Sequence, residues 1–128
     1  MHPKFYICSR CGNLVYVVRE SGVPMMCCGQ PMTLLEPNST DASVEKHKPV
    51  VTVIGDEIAI EIGASIHPMT VEHHIQWVYL ETSKGGQIKF LDPTKIFVMP
   101  EVNFTLCQEK AVAVYAYCNL HGLWKTEL

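Results

Sequence analysis

Four cysteines crowd the first 28 residues of this chain, in Cys8-Ser9-Arg10-Cys11-Gly12 and then Met26-Cys27-Cys28-Gly29-Gln30-Pro31. Two thiols three positions apart on a glycine turn can aim both sulfurs, with nearby backbone N–H groups, at one metal ion. A second pair closes a tetrahedral four-sulfur cage, which suits Zn²⁺ and a single iron alike. The adjacent pair is unusual, because neighbouring side chains diverge. Both can ligate only where the backbone twists, and the tetrahedron should then be distorted. The competing reading is a zinc knuckle that merely holds this segment together.

A second constellation is dispersed: Glu45-Lys46-His47, His67-Pro68-Met69, His73-His74 and Cys118-Asn119-Leu120-His121. Taken singly, each histidine reads as an ordinary surface or core residue. Taken together they suggest a site. Cys118 and His121 sit where a long apolar strand ends in a turn, which suits a thiolate and an imidazole chelating one ion. His67 and His73 bracket a short loop before a strand, and His47 precedes another. Imidazoles with one thiolate form a borderline-soft set that suits iron, copper or zinc. Blue copper competes, but its axial Met should follow the Cys-x-x-His segment and no Met occurs after Met99. The signatures of zinc peptidases and zinc deaminases are absent.

The elements that must position these groups are strands. Residues 1–36 form a small unit, with β-prone runs at Lys4–Ile7 and Leu14–Arg19. Below ~40 residues such a unit needs a metal or disulfides to fold. Glu36-Pro37-Asn38-Ser39-Thr40-Asp41 reads as a linker. In residues 37–128 strands are expected at Val50–Ile54, Glu57–Ile62, Ile75–Thr82, Gln87–Leu91, Ile96–Met99, Ala111–Cys118 and Leu123–Glu127. Hairpin turns are expected at Gly55-Asp56 and Gly85-Gly86. Seven short strands in this length fit an immunoglobulin-like β-sandwich, whose loops cluster at its two ends. The fold class is thus all-β, a small metal-bound domain followed by a sandwich.

The 128 residues are 48% hydrophobic and 18% charged, with 10 Lys+Arg against 13 Asp+Glu and a net charge of −3. Disorder is excluded by that hydrophobicity, and a phosphate-backbone binder by the lack of a basic stripe, so no nucleic-acid partner is expected. The longest apolar run, Ala111 to Cys118, is too short to span a bilayer, and the first residues contain no signal-peptide apolar region. A soluble, cytoplasmic protein without a membrane partner is expected. In that reducing compartment, clustered cysteines bind metal or do chemistry more often than they pair.

The full string carries a resemblance. Cys8-x2-Cys11-Gly12, Cys27-Cys28-Gly29-Gln30-Pro31-Met32, Glu45-Lys46-His47, His67-Pro68-Met69, His73-x-Ile75-x-Trp77 and Cys118-Asn119-Leu120-His121-Gly122-Leu123-Trp124-Lys125 resemble the desulfoferrodoxin family, the two-iron superoxide reductases, in order and spacing. The resemblance covers essentially the whole chain. It implies a rubredoxin-like first iron on Cys8, Cys11, Cys27 and Cys28. It implies a second iron with His47, His67, His73 and His121 in a plane and Cys118 as axial thiolate, the sixth position being open to superoxide. Lys46 would attract the anion, and Glu45 would ligate the ferric iron after product leaves. The implied reaction reduces superoxide to hydrogen peroxide, with electrons from rubredoxin or a similar small donor. A homodimer is carried over from the family as an expectation.

The chemistry of the residues agrees with that reading. One-electron reduction of an anion asks for a reducing metal with a vacant site, a nearby positive charge and a proton supply, and a thiolate ligand pushes electron density toward the metal. Consecutive residues of a strand face opposite ways, so His73 and His74 are not expected to share one ion, and His74 is the one left outside. Cys107 lies outside both sets and is expected to be a small buried strand thiol. Lys48 adds positive charge near the site. The alternative function is a two-iron electron-transfer or metal-binding module without superoxide chemistry; a zinc-ribbon interaction protein is a third.

Overall fold

Alternation of apolar and polar side chains, not a helical period, shapes residues 2–128, which the computed structural model describes. They divide into two compact units, one ending at Glu36 and the other running Pro37–Leu128.

In the first unit, β1 (Phe5–Ile7) lies between β2 (Leu14–Tyr16) and β5 (Thr33–Leu34), both antiparallel to it. The second run stops at Tyr16, short of the expected Arg19. β3 (Met26–Cys27) and β4 (Gln30–Pro31) form a separate hairpin with Cys27 opposite Gln30. Its two central residues, Cys28 and Gly29, both have left-handed backbone at φ 53° and 74°, which the tight turn between twisted strands requires.

The second unit begins with one helical turn, α1 (Val44–His47). Seven strands follow: β6 (Pro49–Ile54), β7 (Glu57–Ile62), β8 (Ile75–Thr82), β9 (Gly85–Phe90), β10 (Glu101–Thr105), β11 (Ala111–Cys118) and β12 (Gly122–Glu127). They make two antiparallel sheets, ordered β10-β7-β6 and β12-β11-β8-β9. The sandwich core is the alternate residues of the inner faces: Ile58, Ile60 and Ile62 against Val78, Leu80, Val114 and Ala116, closed by Phe104. Burying each such aliphatic side chain contributes roughly 1.5–3 kcal/mol, so this unit has a hydrophobic basis for its fold that the first lacks.

Three expectations require correction. Ile96–Met99 is not a strand. It lies in an irregular loop where Ile96 and Phe97 are 84% and 96% exposed, behind a turn in which the Asp92 carboxylate accepts from the Thr94 N–H and hydroxyl. Four apolar residues in a row give no alternation. The alternating pattern starts after Pro100, with Val102 and Phe104 inward in β10. The β8–β9 turn falls at Ser83-Lys84, since Thr82 pairs with Gly85. Gly86 is instead a strand residue lying against Tyr79, where a Cβ would overlap the phenol and the Leu80 carbonyl. Cys107 is exposed in the bend between β10 and β11 rather than buried in a strand.

The register brings five strand ends together. Pro49 opens β6 opposite Ile62, the last residue of β7; Cys118 closes β11 opposite both Ile75, which opens β8, and Gly122, which opens β12. Every dispersed histidine of the sequence analysis except His74 reaches the cluster described next from this one end.

Candidate metal centres

Cys8 and Cys11 stand on the turn after β1. The Gly12 N–H donates to the Cys8 carbonyl and the Cys8 N–H to the Asn13 carbonyl, which closes that turn. Cys27 and Cys28 stand on the β3–β4 turn, and the left-handed backbone at Cys28 is the twist that lets neighbouring sulfurs face one point. All four Sγ atoms lie within 4.8 Å of one another. Cys11 and Cys27 are 3.6 Å apart, close to the roughly 3.8 Å edge of a tetrahedron with ~2.3 Å metal–sulfur bonds. The Cys11 and Arg10 N–H groups draw the Cys8 thiol down to about 6, while crowding by Cys11, Cys8 and Cys27 pushes Cys28 up to about 12. Four thiols this close cannot all ionise without a cation among them, which is the electrostatic signature of a metal site.

The second cluster gathers His47, His73, Cys118 and His121, whose ligand atoms also lie within 4.8 Å of one another. His67 falls outside that limit, but its ring belongs to the same array. Ring centroids are 4.6 Å apart for His47–His67 and His67–His73, 5.1 Å for His73–His121 and 4.9 Å for His47–His121. Each of these neighbours is near-perpendicular, whereas His47 and His73 lie 6.2 Å apart at 32°. Four imidazoles therefore mark the corners of a square with His47 and His73 on one diagonal.

Local structure sets each corner. Ser43 caps α1, its hydroxyl accepting from the Lys46 N–H, and its carbonyl accepts the His47 Nδ1–H at 2.6 Å. Pro49 forces Lys48 into extended backbone and ends the helix there. The His67 Nδ1–H donates to the Pro68 carbonyl at 2.7 Å. Both bonds select the tautomer whose Nε2 carries a free lone pair. The Nε2 atoms of His67 and His73 are buried with no hydrogen-bond partner, and buried polar atoms left in that state call for an ion. His47 Nε2 faces His121 Nδ1 at 3.1 Å, about the separation of adjacent nitrogens that bind one metal at ~2.1 Å. Cys118 Sγ lies 3.9 Å from the same His121 nitrogen. These donors fit a metal ion.

Burial pulls the His47, His67 and His73 rings below the ordinary imidazole value, His67 to about 4, and the charge of Lys46 adds to that at His47 and His73. Burial pushes the fully buried Cys118 thiol up, while the Leu120 and His121 N–H groups pull it back. Glu45 and Lys46 are exposed on α1, with Lys46 near enough for its charge to act on two of the rings. Lys48 is exposed just beyond. His74 turns away, its Nδ1 on the Thr70 carbonyl.

Trp124 belongs to the Cys118–Lys125 motif, but no role at the metal centre is assigned to it from sequence. Its indole stacks on His47 at 5.0 Å and its Nε1–H donates to the His121 carbonyl. One buried side chain thus braces two corners, and the only signal was its spacing of three from His121.

The chain matches the desulfoferrodoxin family over residues 39–127 and the desulfoferrodoxin N-terminal domain over residues 2–35. The desulfoferrodoxin of Nitratidesulfovibrio vulgaris is 38% identical over 124 residues, covering 97% of this chain and 95% of that protein. The superoxide reductase of Thermococcus kodakarensis is 36% identical over 105 residues, covering 70% of this chain and 91% of that one. Among solved structures, the superoxide reductase from Treponema pallidum superposes with a TM-score of 0.80 at 34% identity, over 99% of this chain and 100% of that one. The two family domains and the two side-chain clusters agree with two irons per chain.

Proposed function

The chain belongs to the desulfoferrodoxin family, and from that premise we propose that it is a superoxide reductase. In this reading residues 37–128 reduce superoxide to hydrogen peroxide, consuming one electron and two protons, and residues 1–36 are a rubredoxin-like auxiliary electron-transfer domain. Cys8, Cys11, Cys27 and Cys28 would hold the first iron; His47, His67, His73, His121 and Cys118 would hold the second.

The observation that carries the proposal is a square of four imidazoles gathered beside one buried thiol, with the Lys46 charge at its edge. When bound there as Fe(II), iron supplies the electron and a coordination position for the anion. Imidazoles that ligate a metal do so uncharged, so with iron bound the field at the site would be set by the metal, the thiolate and Lys46. Lys46 draws superoxide from solution, an effect strongest at low salt. Two N–H donors stabilise the Cys118 thiolate. His73 and His121 are only partly buried, which leaves solvent near enough to deliver protons and take up product. Glu45, exposed beside Lys46, is the side chain proposed to close the site in the oxidised resting state. Rubredoxin or a similar small protein is the proposed donor, and a homodimer in a cytoplasmic setting the proposed form.

The test is metal analysis with optical spectra of the isolated and ascorbate-reduced protein, then superoxide consumption on the same sample. Two irons, two distinct bands and superoxide loss without oxygen release are expected. Two irons with no superoxide loss would leave an electron-transfer module, and zinc alone would remove both irons from the account.

A further inference from the structure

β11 must end at Cys118 so that the chain can turn back within three residues to present His121. That turn deprives the segment before β8 of its neighbouring strand. The ladder already slips by one residue here, Tyr117 pairing with Trp77 and Cys118 with Ile75. A single main-chain bond follows, from the Asn119 N–H to the His74 carbonyl at 3.1 Å. The Asn119 side chain then takes over the role of the missing strand. Its Oδ1 accepts from the His74 N–H at 2.8 Å, and its Nδ2 donates to the Glu72 carbonyl at 2.9 Å.

The Glu72 carbonyl belongs to the peptide plane before the His73 Cα, and the His74 N–H to the plane after it. One rigid carboxamide therefore holds both planes, which fixes φ and ψ at His73 and so the direction of its Cα–Cβ bond. His73 has particular need of this. The His47 and His67 rings are locked by Nδ1 bonds to carbonyls. Among the described residues no such ring bond is found for His73, whose other anchors are the local backbone and hydroxyl bonds to Thr70.

We infer that Asn119 is a positioning residue for the His–Cys centre, acting through the backbone of His73. The inference rests on metal binding by that centre and not on superoxide chemistry. Both halves of the amide are used. Alanine removes both bonds, whereas aspartate keeps the acceptor for His74 and sets a charged oxygen against the Glu72 carbonyl.

The experiment is anaerobic Co²⁺ titration of the metal-free full-length chain against a competing chelator. The single-thiolate band follows the His–Cys centre, and the four-thiolate band of the cysteine centre is the internal control. Asn119→Ala should weaken Co²⁺ binding at the His–Cys centre about tenfold or more, the range for groups that orient metal ligands. The control band should not move. Asn119→Asp should also weaken binding, and it carries the comparison should the alanine variant fail to fold. In a double-mutant cycle, adding either substitution to His73→Ala should cause little further loss. Wild-type affinity in both Asn119 variants would overturn the inference, as would a full further loss in the double variant. A wild-type chain that takes up no Co²⁺ at this centre would overturn it together with the metal reading, before any variant is compared.

Discussion

At the scale of single residues, the second centre depends on which ring nitrogen each histidine turns inward. Ser43 and Pro68 carbonyls decide this for His47 and His67, leaving Nε2 free, and the His67 lone pair has no protein partner at all. Cys118 is the one donor in the cluster that carries charge into a fully buried position, and its ionisation is opposed by burial until a metal compensates. Cys118→Ser should therefore abolish the thiolate-to-iron absorption band; a variant that kept the band would remove Cys118 from the ligand set. Lys46 acts differently, through solvent and over a distance. Lys46→Ala should slow superoxide capture by up to about tenfold at low ionic strength and flatten its salt dependence. Stopped-flow rates at several salt concentrations measure this, and equal rates at low salt would contradict a steering role.

At the scale of elements, Lys46 and His47 are placed by a single helical turn that has no length to stabilise itself. Its support is the chain after β7. The Gly63 N–H donates to the Lys48 carbonyl and the Ser65 N–H to the Glu45 carbonyl. Gly63 is left-handed at φ +88°, and a Cβ there would run into the Lys46 and Ser65 carbonyls. Backbone, unlike a flexible side chain, cannot step aside cheaply. Gly63→Ala should cost about 1–3 kcal/mol, seen as a thermal midpoint lowered by at least about 5 °C, and should slow superoxide capture by displacing Lys46; an unchanged midpoint would show that the turn is not clamped. Little of this support could be read from sequence. Alternation was legible wherever a strand is half-buried, as in Ile58, Ile60 and Ile62, and so the sandwich was legible too. The ligand types were legible because thiols and imidazoles in this pattern have few other uses. The errors share one cause, since a short motif was read without the partner that decides it. Gly85-Gly86 reads as a turn until Tyr79 is seen packed on Gly86, and Ile96–Met99 reads as a strand although β10, which begins two residues after Met99, holds the place beside β7. Trp124 and Asn119 act on groups brought to them by folding, which local spacing does not reveal.

At the scale of the whole molecule, the two units differ in what keeps them folded. Residues 37–128 bury a continuous aliphatic core between two sheets. Residues 1–36 have strands of two or three residues and four thiols converging on one point, so a metal must supply much of their folding free energy. The charge sums to +1 in the first unit and −4 in the second, so the two units also differ electrostatically. Removing one first-site ligand should thus damage one unit and spare the other. Cys11→Ser in the full chain should lose the first iron and its absorption band, and amides of β1, β2 and β5 should lose protection from exchange. The His–Cys band should persist, and superoxide consumption with ascorbate as reductant should stay within about twofold of wild type, because the sandwich core does not depend on the lost metal. Loss of both bands would mean that the two units fold as one. Retention of the His–Cys band with collapse of superoxide consumption would instead place the first iron in the path of the electron, making it a participant in turnover and not an accessory to it.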